Sequence, residues 1–210
     1  MGMVTSIELS KTRAAVYVDG VLMLRVRRAD FDALPLAEGD DVDEQAYTDR
    51  LCARQMKAAY ESALNTLDKR DVTAAGMVQA LTRRGYLTPV AEAVAARLTA
   101  NGLIDDKRYA EHYIQRKAAT PTGRYALRRG LRQRGIDERT VDDTMALVDD
   151  ETQLEAAKAL CAQLMRRYAA LPAREARAKL SQALARRGFG WDTISEAVES
   201  LGMDDDDLDE

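Results

Sequence analysis

Two apolar periodicities divide the chain. Over residues 4 to 26 the apolar positions fall in short runs, VTSIEL, RAAVYV and VLMLRV, with Asp19-Gly20 between the last two. An Asp-Gly pair flanked by apolar runs predicts a tight hairpin, because glycine tolerates the positive φ that a type I′ turn demands. A short segment, ADFDALPL, leads to a turn at AEGDD near residue 40. From Asp43 onward apolar residues recur three and four apart, the period of helices packed on one face.

The helical part repeats itself. LTRRGY (81–86), LRQRGI (131–136) and LARRGF (184–189) align on Gly85, Gly135 and Gly188, which are 50 and 53 residues apart. Eight positions before each glycine stands Met77, Leu127 or Leu180; four before, Leu81, Leu131 or Leu184; one after, Tyr86, Ile136 or Phe189. This pattern predicts a helix closed by a left-handed glycine, with the next residue folded back on the last turn. A second helix follows each glycine, and another helical segment precedes each pair, at 47–67, 106–117 and 151–168.

A unit of about 50 residues buries little surface alone, so the units are expected to stack. The expected fold is mainly α: three tandem three-helix repeats in an elongated array, preceded by a small N-terminal β-hairpin segment. The boundaries follow as 1–42 for the hairpin segment, 43–103, 104–150 and 151–203 for the repeats, and 204–210 for an acidic tail.

Composition agrees with this picture, at 46% hydrophobic and 31% charged with four prolines. The net charge of −4 misleads, since DDDDLDE at the C-terminus carries six acids and the body without it is slightly basic. That run is expected to be a solvated tail. An autoinhibitory role, competing for the basic region, is the other reading. No signal-peptide core and no apolar run near the ~18 residues of a membrane span occur, and Cys52 and Cys161 are expected to be buried free thiols. The expected location is the reducing cytoplasm.

The run GLIDDKRYAEHYI (102–114), followed by a basic loop, Gly123 and LRQRGI, resembles the RecX family, the regulators of the RecA recombinase; LDKRDVTAAGMVQALTRRGY is similar to that family's first repeat. The resemblance covers residues ~60 to 200 and reaches the hairpin more weakly. Two departures stand where the family pattern has a glutamate: Gly76 before Met77, and Gly130 before Leu131. A mid-helix glycine costs about 1 kcal/mol against alanine, so these helices are expected to be less self-sufficient. The resemblance implies a non-enzymatic protein without cofactor, acting as a monomer with no membrane partner. It would bind the RecA filament in its groove, with DNA contact inside the filament, and damp ATP hydrolysis, strand exchange and repressor cleavage.

The candidate chemistry is sparse. Asp105 or Asp106 is expected to cap the following helix rather than hold a metal. His112, the sole histidine, has no partner cluster in the sequence, and neither GxxxxGK[ST] nor a strand-linked GxGxxG occurs. Tyr86, Met145 and Met165 are expected in cores, and Trp191, the only tryptophan, is expected to pack rather than anchor a partner.

Residues 107–135 hold nine basic side chains against Glu111 alone. Arg134, with its counterparts Arg84 and Arg187, falls in a last helical turn, where a cation offsets the helix dipole by about 0.3–1 kcal/mol. Tyr125, Arg128, Arg129 and Arg132 instead form an outward stripe, roughly 100° to 200° around the helix from Leu127. The matching positions of the other units are not basic, and like charges four apart, as in Arg128 and Arg132, weaken an isolated helix by about 0.2–0.5 kcal/mol. With Arg124 and Lys117 nearby, the stripe is expected to meet an anionic partner, either DNA phosphates or an acidic protein surface. Two other readings stay open: an autonomous tri-helical DNA-binding protein with the hairpin as a wing, and a helical scaffold unconnected to nucleic acid.

Overall fold

The computed structural model describes residues 1–202. Its contacts divide the chain into two compact units, Met1–Asp105 and Asp106–Glu210. The acidic run at 204–210 lies outside the described residues, and with it the expected tail.

In the first unit, β1 (Gly2–Leu9), β2 (Arg13–Val18), β3 (Val21–Arg27) and a two-residue β4 (Asp41–Val42) form an antiparallel sheet of order β3-β2-β1-β4. The Asp19-Gly20 turn has φ of 49° and 80°, so both positions are left-handed as a type I′ hairpin requires. The sheet is larger than the expected hairpin. Part of the stretch read as a turn near residue 40 pairs with β1, Val42 opposite Gly2 and Asp41 opposite Met3. ADFDALPL supplies most of a short helix, α1 (Arg28–Ala33). Val4, Ala14, Val16, Val18, Leu24 and Val26 turn to one face of the sheet and are covered by Phe31 of α1 and by Tyr47 and Leu51 of α2 (Glu44–Leu67).

The far half of α2 serves another core. Its Ala59 and Ala63 pack with Met77 and Leu81 of α3 (Ala74–Arg83) and with Val90, Val94 and Leu98 of α4 (Thr88–Ala100). A polar cluster joins the two cores. Asp30, only 3% exposed, receives two bonds from Arg27, at 2.8 and 2.9 Å, and one from Gln55 at 2.7 Å. Gln55, fully buried, accepts from the Leu87 amide at 2.8 Å. Arg27 also donates to the Tyr86 hydroxyl at 2.9 Å, and that hydroxyl donates to the Ala58 carbonyl at 3.0 Å. Buried polar groups are tolerated when each finds a partner, and here each does. The bond to Asp30 raises the Arg27 pKa, so the guanidinium is charged throughout.

The second unit holds two helical trios. Helices α5 (Asp106–Ala118), α6 (Arg124–Arg132) and α7 (Glu138–Met145) enclose Tyr113, Leu127, Leu131, Ile136, Val141 and Met145. Helices α8 (Asp150–Tyr168), α9 (Ala173–Arg186) and α10 (Trp191–Glu199) enclose Leu160, Cys161, Leu180, Leu184, Phe189 and Ile194.

The helix closures are as the repeat predicted. Gly85, Gly135 and Gly188 have φ of 91°, 74° and 81°. In each case the residue after the glycine donates to the carbonyl five back, Tyr86 to Leu81, Ile136 to Leu131 and Phe189 to Leu184, and the glycine donates to the carbonyl three back. This is the Schellman pattern, and it buries the apolar residue that follows.

Gly130 has a packing reason that its helix propensity hides. A β-carbon there would stand 2.1 Å from the Tyr113 hydroxyl and 2.9 Å from its Cζ, so the bare backbone of α6 admits the ring from α5. Arg134 holds that ring in place, its guanidinium 4.5 Å from the ring centroid while it donates to the Gly130 carbonyl at 2.7 Å. Gly130→Ala gains about 1 kcal/mol of helix propensity but displaces a buried ring at a cost of about 1–3 kcal/mol. A net loss of about 1 kcal/mol in urea unfolding is expected.

Candidate functional site

Helix α6 begins without a side-chain cap, at Gly123. The Gly123 amide donates to the Arg187 carbonyl and the Tyr125 amide to the Gly188 carbonyl, both at 2.9 Å. Free amides at the start of one helix thus satisfy free carbonyls at the end of α9. The contact needs glycine on both sides: a β-carbon on Gly123 would lie 2.1 Å from the Gly188 carbonyl carbon, and one on Gly188 would lie 2.4 Å from the Ala126 nitrogen.

Two arginines of the basic stripe of α6 reach α7. Arg128 reaches Asp142 at 2.6 Å and Glu138 at 3.3 Å. Arg132 grips Glu138 with two bonds, one of them 2.8 Å from Nε. The stripe is therefore partly an ion-pair seam between helices. Acids just beyond the basic window, at 138 and 142, have the same four-residue spacing as Arg128 and Arg132 and relieve their mutual repulsion. Such exposed pairs are screened by solvent and add little to stability. The Arg132 bond holds the Glu138 carboxyl below its ordinary range. Its contribution is thus present above the unfolded pKa and lost as pH falls through the folded one.

The remaining site candidates differ in freedom. Arg124 bonds the Val148 carbonyl and pairs with Asp150 at 2.7 Å. Arg129 is exposed and makes no ion pair among the described residues. Lys117 is exposed at the end of α5, its ammonium 6.0 Å from the Tyr113 ring. Tyr125 is 67% exposed, with its Cε2 3.5 Å from where a β-carbon on Gly190 would be.

Asp105 stands just before the first residue of α5, Asp106, at the position of a helix cap. Among the last-turn arginines only Arg134 bonds a carbonyl of its own helix. Arg84 instead clamps Ser62 and Thr66 of α2, and Arg187 reaches the Pro121 carbonyl. Tyr86 and Met145 are buried and Met165 half-buried. The cysteines are free, Cys161 buried and Cys52 half-buried, and burial raises both thiol pKa values.

Trp191 overturns its expectation. It is 73% exposed and lines an open cleft of about 810 Å³ with Tyr125, Leu154 and the first turns of α6, α8 and α10. Phe189 already fills the core slot after Gly188, so the first position of α10 is left outside. The repeat carried this signal, because the equivalent positions hold exposed Thr88 and Glu138. Among the described residues no group of three His, Cys, Asp or Glu could hold a metal ion, and no helix is long and apolar enough to cross a membrane.

Family patterns match both trios of the second unit: residues 105–145 match the RecX second three-helix domain, and residues 151–198 the third. The regulatory protein RecX of Mycobacterium leprae (strain Br4923) is 36% identical over 138 residues, covering 64% of this chain and 80% of the relative. That of Limosilactobacillus reuteri (strain DSM 20016) is 29% identical over 213 residues, covering all of this chain and 80% of the relative. A crystal structure of regulatory protein RecX superimposes with a TM-score of 0.66 at 29% identity, covering 95% of this chain and all of the other.

Proposed function

Since the chain belongs to the RecX family of regulatory proteins, we propose that it regulates the RecA recombinase without catalysis, mainly as an inhibitor. It acts in the cytoplasm as a monomer without cofactor, lying in the groove of the RecA–DNA filament and damping ATP hydrolysis, strand exchange and coprotease activity. The observation that carries this reading is the thrice-repeated helix closure, at Gly85, Gly135 and Gly188, within a mainly helical chain similar to RecX over its length. The repeat division stays that of the sequence, 43–103, 104–150 and 151–203.

The contact surface is the outer face of α6, with Tyr125, Arg128, Arg129, Arg132 and Arg124, together with Lys117 at the end of α5. Arg129 and Lys117 meet an anionic partner as they stand. Arg128 and Arg132 exchange Glu138 and Asp142 for it. Autonomous DNA binding is the less supported alternative, because those two arginines are already neutralised within the chain.

Added below stoichiometric ratio to RecA on single-stranded DNA, the protein is expected to lower ATP hydrolysis; no change at saturation overturns the reading. Arg128→Ala, Arg129→Ala and Arg132→Ala together are expected to weaken filament binding while helical circular dichroism is kept. Glu138→Gln with Asp142→Asn is expected to strengthen it, since releasing two arginines adds phosphate contacts.

A further inference from the structure

Tyr125 and Trp191 are the two most exposed aromatic side chains in the described structure, and they line one cleft. A tryptophan left 73% exposed has a hydration cost that its own fold does not relieve, and exposed aromatics in a concave site are the usual anchors of a partner.

Charge decides which partner. The cationic lining, Arg124 and Arg128, is already spent on Asp150 and on Asp142 with Glu138. The acidic lining is not: Glu151, Asp192 and Glu196 are exposed and make no ion pair among the described residues. Asp192 and Glu151 lie in first helical turns, where a carboxylate is favoured for structural reasons. Glu196 lies further along α10 and has no such reason. A nucleic-acid strand entering here would bring phosphates against three uncompensated carboxylates. A cationic side chain would meet aromatic faces and carboxylates together, the pairing that holds guanidinium groups.

The geometry points to this cleft as a docking site for an arginine-bearing extended segment of a protein partner. It overlaps the anionic-partner face of α6 at Arg124, Tyr125 and Arg128 but is completed by Trp191 and three carboxylates outside that face, and its test needs no RecA. Recognition rests on Tyr125 and Trp191 stacking on the guanidinium while Glu151, Asp192 and Glu196 neutralise it.

The test uses the full chain and three probes: a fluorescein-labelled peptide of arginines alternating with glycines, the same peptide with glutamate for arginine, and a labelled thymidine oligonucleotide. Anisotropy is expected to report saturable binding of the arginine peptide alone, and the unlabelled peptide is expected to change the emission of Trp191, the single tryptophan. Trp191→Ala, and separately Glu196→Gln, which leaves the helix starts untouched, are each expected to weaken binding about tenfold. The acidic run at 204–210 is present in every variant, so such a loss reports the cleft. The inference is overturned if the glutamate peptide binds as well, if both variants bind as the parent does, or if the oligonucleotide alone perturbs Trp191. It is also overturned if sedimentation shows a dimer that Trp191→Ala dissolves, which would make a second copy the occupant.

Discussion

Gly123→Ala is expected to separate the two helical trios of the second unit and to lower its stability by about 3 kcal/mol. The added methyl would stand 2.1 Å from backbone atoms of Gly188 and Phe189, and backbone cannot rotate aside as a side-chain tip can. Relief requires withdrawing the start of α6 from the end of α9. That withdrawal breaks the hydrogen bonds from the Gly123 and Tyr125 amides to the Arg187 and Gly188 carbonyls, each contributing about 0.5–1.5 kcal/mol, and leaves a helix start without its acceptors. Urea unfolding would be read for a lower midpoint. Gly190→Ala is the control, since its β-carbon would meet only Tyr125 Cε2 at 3.5 Å, and it is expected to change little. Equal midpoints for Gly123→Ala and Gly190→Ala would refute the close contact.

Asp30→Ala should destabilise the first unit by about 3 kcal/mol, the lower end of the range for breaking a buried charge pair. Removing the carboxylate orphans the Gln55 amide, which is fully buried, and strips Arg27 of two bonds. Arg27 retains some access to water through its 26% side-chain exposure, which keeps the loss from the upper end. Asp30→Asn keeps an acceptor for Gln55 and should lose about half as much. Tyr86→Phe should lose about 1 kcal/mol, because its hydroxyl links Arg27 to Ala58. Thermal unfolding followed by far-ultraviolet circular dichroism would rank the three. An Asp30→Ala protein as stable as its parent would mean that the cluster contributes nothing.

What was legible in the sequence was what repeats. Leu81, Leu131 and Leu184 four residues before a glycine, and an apolar residue just after it, state the helix closure three times over, and Asp19-Gly20 states the hairpin once. What was not legible depends on a partner distant in sequence or on too few residues to show a period. Strand β4 is two residues long and exists because β1 has an open edge there. Gly130 reads as a weak point until Tyr113 is seen against it. For the candidate surface, the outward direction of Arg128 and Arg132 was readable, but their pairing with Glu138 and Asp142 depends on how α7 returns alongside α6. Residue type points Trp191 inward, whereas its repeat position, polar and exposed at Thr88 and Glu138, points it outward.

Helix α2 has a consequence for dissecting the chain. At 24 residues it runs about 36 Å, and Tyr47 and Leu51 near its start belong to one core while Ala59 and Ala63 belong to the next. A fragment beginning at residue 43 would start with a helix whose first three turns face solvent with an uncovered tyrosine, leucine and glutamine. Calorimetry of Met1–Asp105 should accordingly give a single cooperative peak, and residue 105, rather than 42, is where the chain can be cut for study in pieces.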